Sequence, residues 1–512
     1  MAIINSLVNW FNIKRRNDIE LFKKHPFQVQ QELCLNLVKK AKDTFWGQTY
    51  NYNSIKSVSD FQRAVPISSY ESLCPYIDRL IKGEQNILWP SEVKWFAKSS
   101  GTTNDKSKFI PVSKEALEEC HFRGGKDVIA FYTNNYPDNN LFKGKSLTLG
   151  GSHQVNKFNM DSYYGDLSAI LIENIPFWAD FLRTPSQKIA LIPKWEEKLD
   201  QLTKATINEN VVSLAGVPSW NLVMIKHILE YTGKNNLLEV WPNLELFIHG
   251  GINFTPYRDQ FTKVIPSEKM NYMETYNASE GFFAIQDNPE SDDLLLMLDY
   301  GIFYEFIPVT ELDSPNKNVY HIGEVQKGIN YAMVISTNAG LWRYLIGDTV
   351  IFTSLYPHKI KISGRTKHFI NAFGEELMID NAERALDKAC NKTGAEISEY
   401  TAAPVYMTNK SKGCHQWLIE FQKKPSSIGR FMDIFDNALK SLNSDYEAKR
   451  YNNITLDTPQ IIVANKGLFY NWMKTKGKLG GQNKVPRLSN QRNYIDELIE
   501  LNNSMLDKDI TA

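Results

Sequence analysis

The chain has 512 residues, 42% of them hydrophobic and 12% aromatic, which is the composition of a globular protein with room for a large domain and a smaller one. Its 58 basic and 58 acidic residues cancel, and no basic domain marks a nucleic-acid-binding protein. Five scattered cysteines without a C-x-x-C pair argue against a disulfide framework or a zinc site, and they predict a reducing, cytoplasmic compartment.

No apolar run approaches the roughly 18 residues of a membrane-spanning helix, so we expect no transmembrane span and no membrane partner. The N-terminus carries its charges after its apolar part, which is the reverse of a signal peptide and favours an amphipathic helix. The nine histidines form no H-E-x-x-H or H-x-H pair, so the sequence makes no case for a histidine metal site.

The N-terminal part of the chain is predicted to be helical, because apolar residues keep helical spacing up to about residue 45. A short helix follows at residues 59–63 with Ser59 as its N-cap. Residues 70–82 form another helix that ends at Gly83.

A hydroxyl-rich segment follows at residues 95–111. Gly101 lets the backbone turn so that its N–H groups converge, Lys108 supplies countercharge, and the segment is not a Walker A loop. It predicts an anion-binding loop; the alternative is a solvated polar turn between two strands. The hydroxyl groups of the loop belong to Ser99, Ser100, Thr102 and Thr103.

Ser113 opens a helix that is predicted to run to residue 132. Phe122, Arg123 and Lys126 lie on or beside it. They either form the basic edge of a surface helix, or Arg123 or Lys126 meets the carboxylate of a substrate.

Strands in the middle of the chain end in glycine-rich turns, each followed by a helical pattern. This alternation predicts an α/β domain with a ligand crevice at the strand ends. Paired strands are expected over residues 294–306, and two strand pieces around Gly347-Asp348 within 340–352. The strands that precede them are predicted within 146–153, 211–220, 244–251 and 271–286, where the first three ranges include the turn that ends the strand.

From about residue 380 the pattern changes to a compact α+β unit. Helices are predicted at 380–392 and 428–442, with short strands at 405–407, 417–421 and 458–465. The whole is therefore a mixed α/β protein. We expect an N-terminal domain at residues 1–370, with β-sheets flanked by helices, and a small α+β domain at 371–512.

The order of these features resembles the adenylate-forming enzyme superfamily. Within it, YNASEG at 276–281 resembles the Tyr-x-x-Ser-Glu motif of the Gretchen Hagen 3 acyl-acid amido synthetase family, known for auxin-responsive plant members. The likeness covers nearly the whole chain and is especially close to bacterial members. Further matching segments are TFWGQTY at 44–50, DFQRAVPISSYESL at 60–73, FAKSSGTT at 96–103, GVPSW at 216–220 and GGQNKVPRLSN at 480–490.

The resemblance implies an ATP- and Mg²⁺-dependent ligase that adenylates a carboxylic acid and passes the acyl group to the amine of an amino acid. The hydroxyl-rich loop and Lys108 would hold the phosphates, and Glu280 would hold Mg²⁺. Lys484 would act between the attacking carboxylate and the α-phosphate, from a mobile C-terminal domain. Nucleotide contacts are implied for Gly250, Gly251, Tyr276, Ala278, Ser279, Asp348 and Arg365.

Tyr276 would stack on the adenine, with Gly250 and Gly251 along its plane. Asp348 would accept the two ribose hydroxyls, and Arg365 would bind ribose or phosphate. Each assignment has a plain structural alternative, such as a core tyrosine, a turn aspartate or an exposed linker arginine.

The acyl acid and the amino acid are not identified by the sequence. Phe122, Val217 and Trp220 are candidate walls of the acid pocket, although apolar residues at such positions are more often core. An acyl-CoA ligase and a catalytically silent nucleotide-binding protein are the alternative functions. We expect a cytoplasmic monomer.

Overall fold

The computed structural model describes residues 14–99, 108–149, 155–159, 161–252, 254, 257–312, 314–366, 369–408, 412–451, 456–476 and 486–510. Within these ranges the strands are β1 Trp95–Ser99, β2 Lys108–Val112, β3 Lys145–Thr148, β4 Asn156–Lys157, β5 Tyr163–Gly165, β6 Arg183–Thr184, β7 Val211–Gly216, β8 Leu246–Gly250, β9 Asn271–Ala278, β10 Gly281–Ile285, β11 Leu294–Leu296, β12 Ile302–Pro308, β13 Tyr320–His321, β14 Asn330–Thr337, β15 Tyr344–Leu355, β16 His358–Arg365, β17 Phe369–Ile370, β18 Leu377–Met378, β19 Glu396–Val405, β20 Cys414–Lys423 and β21 Gln460–Ala464.

The helices alternate with these strands in the large N-terminal part and flank a small sheet in the C-terminal part. In chain order they are α1 (residues 14–24), α2 Pro26–Ala41, α3 Phe45–Thr49, α4 Val58–Ala64, α5 Tyr70–Ile81, α6 Phe122–Asn135, α7 Leu167–Glu173, α8 Phe177–Asp180, α9 Gln187–Ala190, α10 Trp195–Thr206, α11 Pro218–Thr232, α12 Arg258–Val264, α13 Ile379–Thr393, α14 Ile428–Leu442, α15 Ser444–Arg450, α16 Leu468–Thr475 and α17 Asn493–Ile510.

A twelve-stranded sheet organises the large part of the molecule, in the order β13-β12-β14-β15-β16-β11-β10-β9-β8-β7-β3-β6. The strands from β6 to β9 pair in parallel, whereas those from β9 to β13 pair antiparallel. Strand β9 therefore joins the two halves. Because the carboxyl ends of parallel strands share one edge, the glycine-rich ends of β7 and β8 lie beside the end of β9.

The structure confirms the predicted helix end at Gly83 and the predicted helix start at Ser113, but it shows a different N-cap for α4. Ser69 accepts a hydrogen bond at the start of α5, and Gly83 follows its end with φ +96°, a conformation that favours glycine. Ser113 likewise caps the next helix by accepting from the Ala116 amide. The prediction for α4 was wrong, because its N-cap is Ser57, not Ser59.

Two predictions for the antiparallel half need correction. Residues 340–352 do not hold two strand pieces, because β15 runs unbroken through Gly347 and Asp348 and absorbs irregularity as bulges against β14 and β16. Strands β11 and β12 are also not partners, since β11 pairs with β10 and β16 and β12 with β13 and β14. Local alternation identifies a strand but not its neighbour.

The C-terminal part holds the predicted α+β unit, with a three-stranded sheet β19-β20-β21 packed by α13 and α14. Its core continues into the large part. Trp220 and Phe247 of the large sheet region share one hydrophobic cluster with Phe373 and Trp417 of the small unit. The two parts are therefore joined by apolar packing in this conformation.

A buried ion pair ties the N-terminal helices to the central sheet. The Arg343 guanidinium donates to both carboxylate oxygens of Glu305 at 2.9 and 2.8 Å, and also to the carbonyls of Gln62 and Val65 at 2.7 Å. Burial makes this pair sensitive to the loss of either member. In the described part of the chain, no helix is both long and apolar enough to cross a bilayer.

Candidate active site

A cleft of about 1340 Å³ opens at the edge where β7, β8 and β9 end. The large part supplies its walls from β8, β9 and the hairpin of β15 and β16, and the small unit closes one side with residues 488–491. Both parts therefore contribute to one concave site, as expected for ligand sites in open α/β sheets.

Asp348 is the centre of the polar network in this cleft. Its side chain is buried, and the Tyr276 hydroxyl donates to Oδ2 at 2.7 Å while Arg365 Nε lies 2.8 Å from Oδ1. The partner strands β15 and β16 place Asp348 directly opposite Arg365. Burial and the charge of Asp348 raise the pKa of Tyr276, so that it remains a hydrogen-bond donor.

Arg365 links this network to the small unit. Its guanidinium donates to Glu376 Oε1 at 2.9 Å, just before α13. Burial alone lowers the pKa of Arg365, but the carboxylates of Glu376 and Asp348 raise it overall, so the arginine stays charged. The sequence predicted Asp348 and Arg365 as separate binding residues; the structure joins them as a pair.

Glu280 lies in the turn between β9 and β10, half-buried at the cleft surface. Burial raises its pKa to about 7, the charge of Lys108 lowers it, and the charge of Asp348 raises it. Lys108 begins β2 on the facing wall, and its Nζ donates to the Tyr344 hydroxyl at 3.3 Å. A carboxylate and an ammonium group thus face one another across the same part of the cleft.

Glycine is required where β8 meets β9. A Cβ on Gly250 would lie 2.4 Å from the Thr275 carbonyl oxygen, a backbone atom that cannot rotate away. Gly251 has φ +80°, and its carbonyl accepts a hydrogen bond from Asn371 at 3.4 Å. The strand end is consequently flat and open to the cleft.

The C-terminal segment after residue 485 is held beside this strand end. Leu488 forms a bridge with Ala402 of β19. Asn490 accepts from the Asn371 amide at 2.7 Å, and its carbonyl accepts from the Tyr406 hydroxyl at 3.0 Å. The last residues of the GGQNKVPRLSN motif, 488–490, therefore line the cleft.

The structure brings most of the predicted nucleotide-binding residues to this cleft. Gly250 lies at the strand end beside Gly251. Ser100, Thr102, Thr103 and Lys484 lie outside the described residues. The predicted residues that line the cleft are Ser99, Lys108, Gly251, Tyr276, Ala278, Ser279, Glu280, Asp348 and Arg365.

The predicted acid-binding residues are spread over two places. Val217 lies beside the cleft, with Cγ2 3.5 Å from the position of a Cβ on Gly251. The Trp220 ring instead faces Lys449 of the small unit, with Nζ 4.1 Å from the ring centroid.

On α6, Arg123 donates to the Asp299 carbonyl at 3.1 Å and to its carboxylate at 3.0 Å. Among the described residues, the cleft lining includes none of Phe122, Arg123, Lys126 and Trp220. The guanidinium of Arg123 therefore serves an ion pair in this conformation, and its role toward a substrate stays a prediction.

The sequence analysis missed two titratable cleft residues on adjacent strands. Glu274 has a pKa raised to about 7 by burial and by Asp292, against the lowering effect of Lys361. His249 is buried, and burial together with the charge of Arg258 lowers its pKa to about 3. The available signal was spacing, since Glu274 precedes Tyr276 by two residues in a strand and thus shares its face.

Two solved structures share this architecture. One described as AtGH3.15 acyl acid amido synthetase in complex with 2,4-DB has a TM-score of 0.61 and 17% identity, covering 96% of this chain and 95% of that chain. A 2-hydroxyisobutyryl-CoA ligase in complex with 2-HIB-AMP and CoA has a TM-score of 0.58 and 12% identity, covering 94% and 93%. At these identities the likeness shows the fold alone.

Family models identify the family of this chain. The GH3 family N-terminal, central and C-terminal domains match residues 15–270, 295–365 and 380–493, and the chain therefore belongs to the GH3 family. This confirms the resemblance seen in its motifs. The boundary at residue 370 stays a prediction.

Curated relatives match over most of their length. Indole-3-acetic acid-amido synthetase GH3.3 of Arabidopsis thaliana is 21% identical, over 93% of this chain and 91% of its own. The 4-substituted benzoates-glutamate ligase GH3.12 of the same plant is 22% identical, over 83% and 87%. Jasmonoyl–L-amino acid synthetase JAR4 of Nicotiana attenuata is 23% identical, over 65% and 68%.

Proposed function

We propose that this protein is an ATP-dependent acyl-acid amido synthetase. It adenylates a carboxylic acid with release of pyrophosphate, and an amino acid amine then displaces AMP to form an amide. The observation that carries the proposal is the Tyr276–Asp348–Arg365 network at the strand ends of a chain whose length is spanned by GH3 family domains. Membership of the GH3 family supports this class of ligase, and the network of Tyr276, Asp348 and Arg365 would bind the nucleotide.

The lone pairs of Asp348 fit the two hydroxyls of a ribose. An ionised carboxylate has about four acceptor positions. Tyr276 and Arg365 use two of them, one on each oxygen. The remaining two match a vicinal diol. Tyr276, fixed through its hydroxyl, would present its ring to the adenine.

The residues at the other end of the cleft fit a triphosphate with Mg²⁺. Mg²⁺ prefers one or two carboxylates together with phosphate oxygens and water, and Glu280 offers such a carboxylate. The bound ion would neutralise charge on the phosphates. Lys108 would add an ammonium group, and Arg365 a guanidinium, where the acid carboxylate and the α-phosphate must approach despite their like charge.

The small unit would complete the site for the two half-reactions. Its segment 488–491 already lines the cleft. Lys484 lies four positions before that segment in the sequence, and we propose it as the cation that joins carboxylate and phosphate during adenylation. After adenylation the amine attacks the acyl carbonyl carbon, the bond to the phosphate oxygen breaks, and AMP leaves with that oxygen.

Location and assembly are part of the proposal. All five cysteines are free thiols, as suits a reducing cytoplasmic compartment. We propose a monomer, because one chain supplies both walls of the cleft. Size-exclusion chromatography with light scattering measures the mass directly, and a dimer mass contradicts this part.

The test of function is pyrophosphate release with ATP, Mg²⁺ and a panel of aryl and aliphatic acids. Each acid is run with pooled amino acids and separately with coenzyme A, since the fold is shared with a CoA ligase. An amide found by mass spectrometry supports the proposal. Thioester formation without amide overturns it in favour of the CoA ligase, and ATP binding without release from any acid favours a silent nucleotide-binding protein.

A further inference from the structure

The ammonium group of Lys108 is held by two tyrosines that have no part in the proposed chemistry. Its Nζ donates to the Tyr344 hydroxyl at 3.3 Å and lies 6.0 Å from the centroid of the same ring. The centroid of the Tyr70 ring is 5.7 Å from Nζ. Both distances are within the range of cation–π attraction, so two aromatic rings and one hydroxyl hold the ammonium.

This arrangement holds a cation without cancelling its charge. Among the described residues, the Tyr344 hydroxyl is the only hydrogen-bond partner of the Lys108 ammonium, and none of their carboxylates forms an ion pair with it. Burial raises the pKa values of Tyr70 and Tyr344, and the charge of Glu280 adds to the rise for Tyr344, so both hydroxyls stay neutral. The positive charge of Lys108 is therefore left for an anionic ligand of the cleft.

Backbone pairing fixes Tyr344 beside the start of α5. The Ser68 N–H donates to the Arg343 carbonyl at 2.8 Å, and the Leu345 N–H donates to the Ser68 carbonyl at 2.9 Å. These two bonds form a parallel bridge between Ser68 and Tyr344. The chain that leads into α5 is thereby attached to the first residue of β15.

Tyr70 fixes the strand that carries the lysine. It is the first residue of α5, two positions after Ser68, and its hydroxyl accepts a hydrogen bond from the Phe109 N–H at 2.8 Å. Phe109 follows Lys108 in β2. Tyr70 and Lys108 line the cleft, whereas Tyr344 is fully buried. The two tyrosines therefore contact both the backbone of β2 and the ammonium of its first residue.

The residue before Tyr344 has a strained backbone. Arg343 has φ +43°, a conformation that residues other than glycine seldom adopt. The buried ion pair with Glu305 holds it there. Such strain persists only where the surrounding structure imposes it, and it is concentrated at functional sites. The strain at Arg343 thus supports a functional reason for the placement of Tyr344.

We propose that Tyr70 and Tyr344 are positioning residues that hold the Lys108 ammonium toward the phosphates of ATP. This inference rests on the proposed function in one respect, that Lys108 meets those phosphates. A free lysine side chain samples many rotamers, and restricting them before the nucleotide arrives removes an entropic cost from binding. Neither tyrosine takes part in bond formation.

The experiment is calorimetric binding of ATP with Mg²⁺, and of adenosine, which has no phosphates, to the full-length protein without acid. Tyr344→Phe removes the hydroxyl and keeps the ring, Tyr70→Leu removes the second ring, and each is made alone and together with Lys108→Met. Tyr304→Phe is the matched control and should bind ATP like the wild type. Tyr304 is also fully buried, and its hydroxyl has no hydrogen-bond partner among the described residues.

Lys108→Met should weaken ATP binding about 10- to 100-fold, and Tyr344→Phe or Tyr70→Leu about 3- to 10-fold, with the affinity for adenosine unchanged. In the Lys108→Met background the two tyrosine variants should change ATP affinity by less than about twofold, because the group that they position is gone.

Three results would overturn the inference. Losses of ATP affinity that persist in the Lys108→Met background, or that extend to adenosine, would show that the tyrosines have only a structural role. Wild-type ATP affinity in both tyrosine variants would show that the lysine needs no positioning. Wild-type ATP affinity in Lys108→Met would contradict the phosphate contact on which the inference rests. The proposed function is tested separately by pyrophosphate release.

Discussion

Removal of the Asp348 carboxylate should cost the protein most of its affinity for the ribose of ATP. The two acceptor positions left free by Tyr276 and Arg365 are each worth about 1.5–3 kcal/mol as hydrogen bonds to a charged group. Asp348→Ala should then lower kcat/KM for ATP by roughly 10²- to 10⁴-fold. Asp348→Asn keeps one side-chain oxygen and should lose roughly half of that free energy.

Deoxynucleotides separate ribose recognition from general damage to the site. In the wild type, 2′-deoxy-ATP and 3′-deoxy-ATP should each react more slowly than ATP in acid-dependent pyrophosphate release. In Asp348→Ala the three nucleotides should be equivalent, because the acceptor that distinguishes them is gone. Asp293→Asn is the control, since Asp293 is also paired, with Lys359 at 3.1 Å, but is outside the described cleft lining.

Asp348 does not bind the ribose hydroxyls if the alanine variant folds, as judged by its unfolding midpoint, and still prefers ATP to both deoxynucleotides by the wild-type factor. In that case the carboxylate only holds Arg365 and Tyr276. The same conclusion would follow if Asp348→Ala lowered the rates with ATP, 2′-deoxy-ATP and 3′-deoxy-ATP by the same factor, because the wild-type preference for ATP would then persist.

Three further predictions follow from other contacts. Below its pKa of about 7 Glu280 is protonated and cannot ligate a metal, so the Mg²⁺ concentration for half-maximal pyrophosphate release should rise about tenfold per pH unit, and an equal requirement at about pH 6 and pH 8 would contradict this. Arg343→Met should destabilise the fold by about 3–5 kcal/mol in urea unfolding, because it leaves Glu305 buried and unpaired. Loss of the exposed ion pair between Arg63 and Asp60 should change the stability far less when tested in the same way, and equal losses would argue against a role for burial. Gly250→Ala should lower stability by about 1–3 kcal/mol and weaken ATP binding, because its Cβ meets a backbone carbonyl; a wild-type midpoint and affinity would show that the strands can separate.

Local sequence patterns were enough to predict the elements that hold the site. Hydrophobic periodicity identified α14 at residues 428–442, and the glycine stops marked the ends of β7 and β8. The resemblance to the adenylate-forming superfamily put Tyr276 and Asp348 in one predicted nucleotide-binding set although they are 72 positions apart. Family resemblance carried this long-range information, because no local pattern contains it.

Partnerships that depend on sheet order were beyond the sequence. The β15–β16 register makes Arg365 the neighbour of Asp348, and the segment between β17 and β18 brings Glu376 to the same guanidinium. Arg123 could be placed on a basic helix edge, but Asp299, which it contacts, is 176 positions away. Local periodicity predicts the face of the helix or strand on which a side chain lies, but it does not predict which charged residue that side chain contacts.

The apolar cluster shared by Trp220, Phe247, Phe373 and Trp417 has a thermodynamic consequence for motion between the two parts. A rotation of the small unit away from this position would expose apolar surface to water, and such exposure carries a positive heat-capacity change. The equilibrium between conformations would therefore curve with temperature, and excluded osmolytes or sulfate would favour the packed state. If this motion limits the reaction rate, the temperature dependence of the rate would include the heat-capacity change of hydrating the apolar cluster as well as the activation enthalpy of the chemical step.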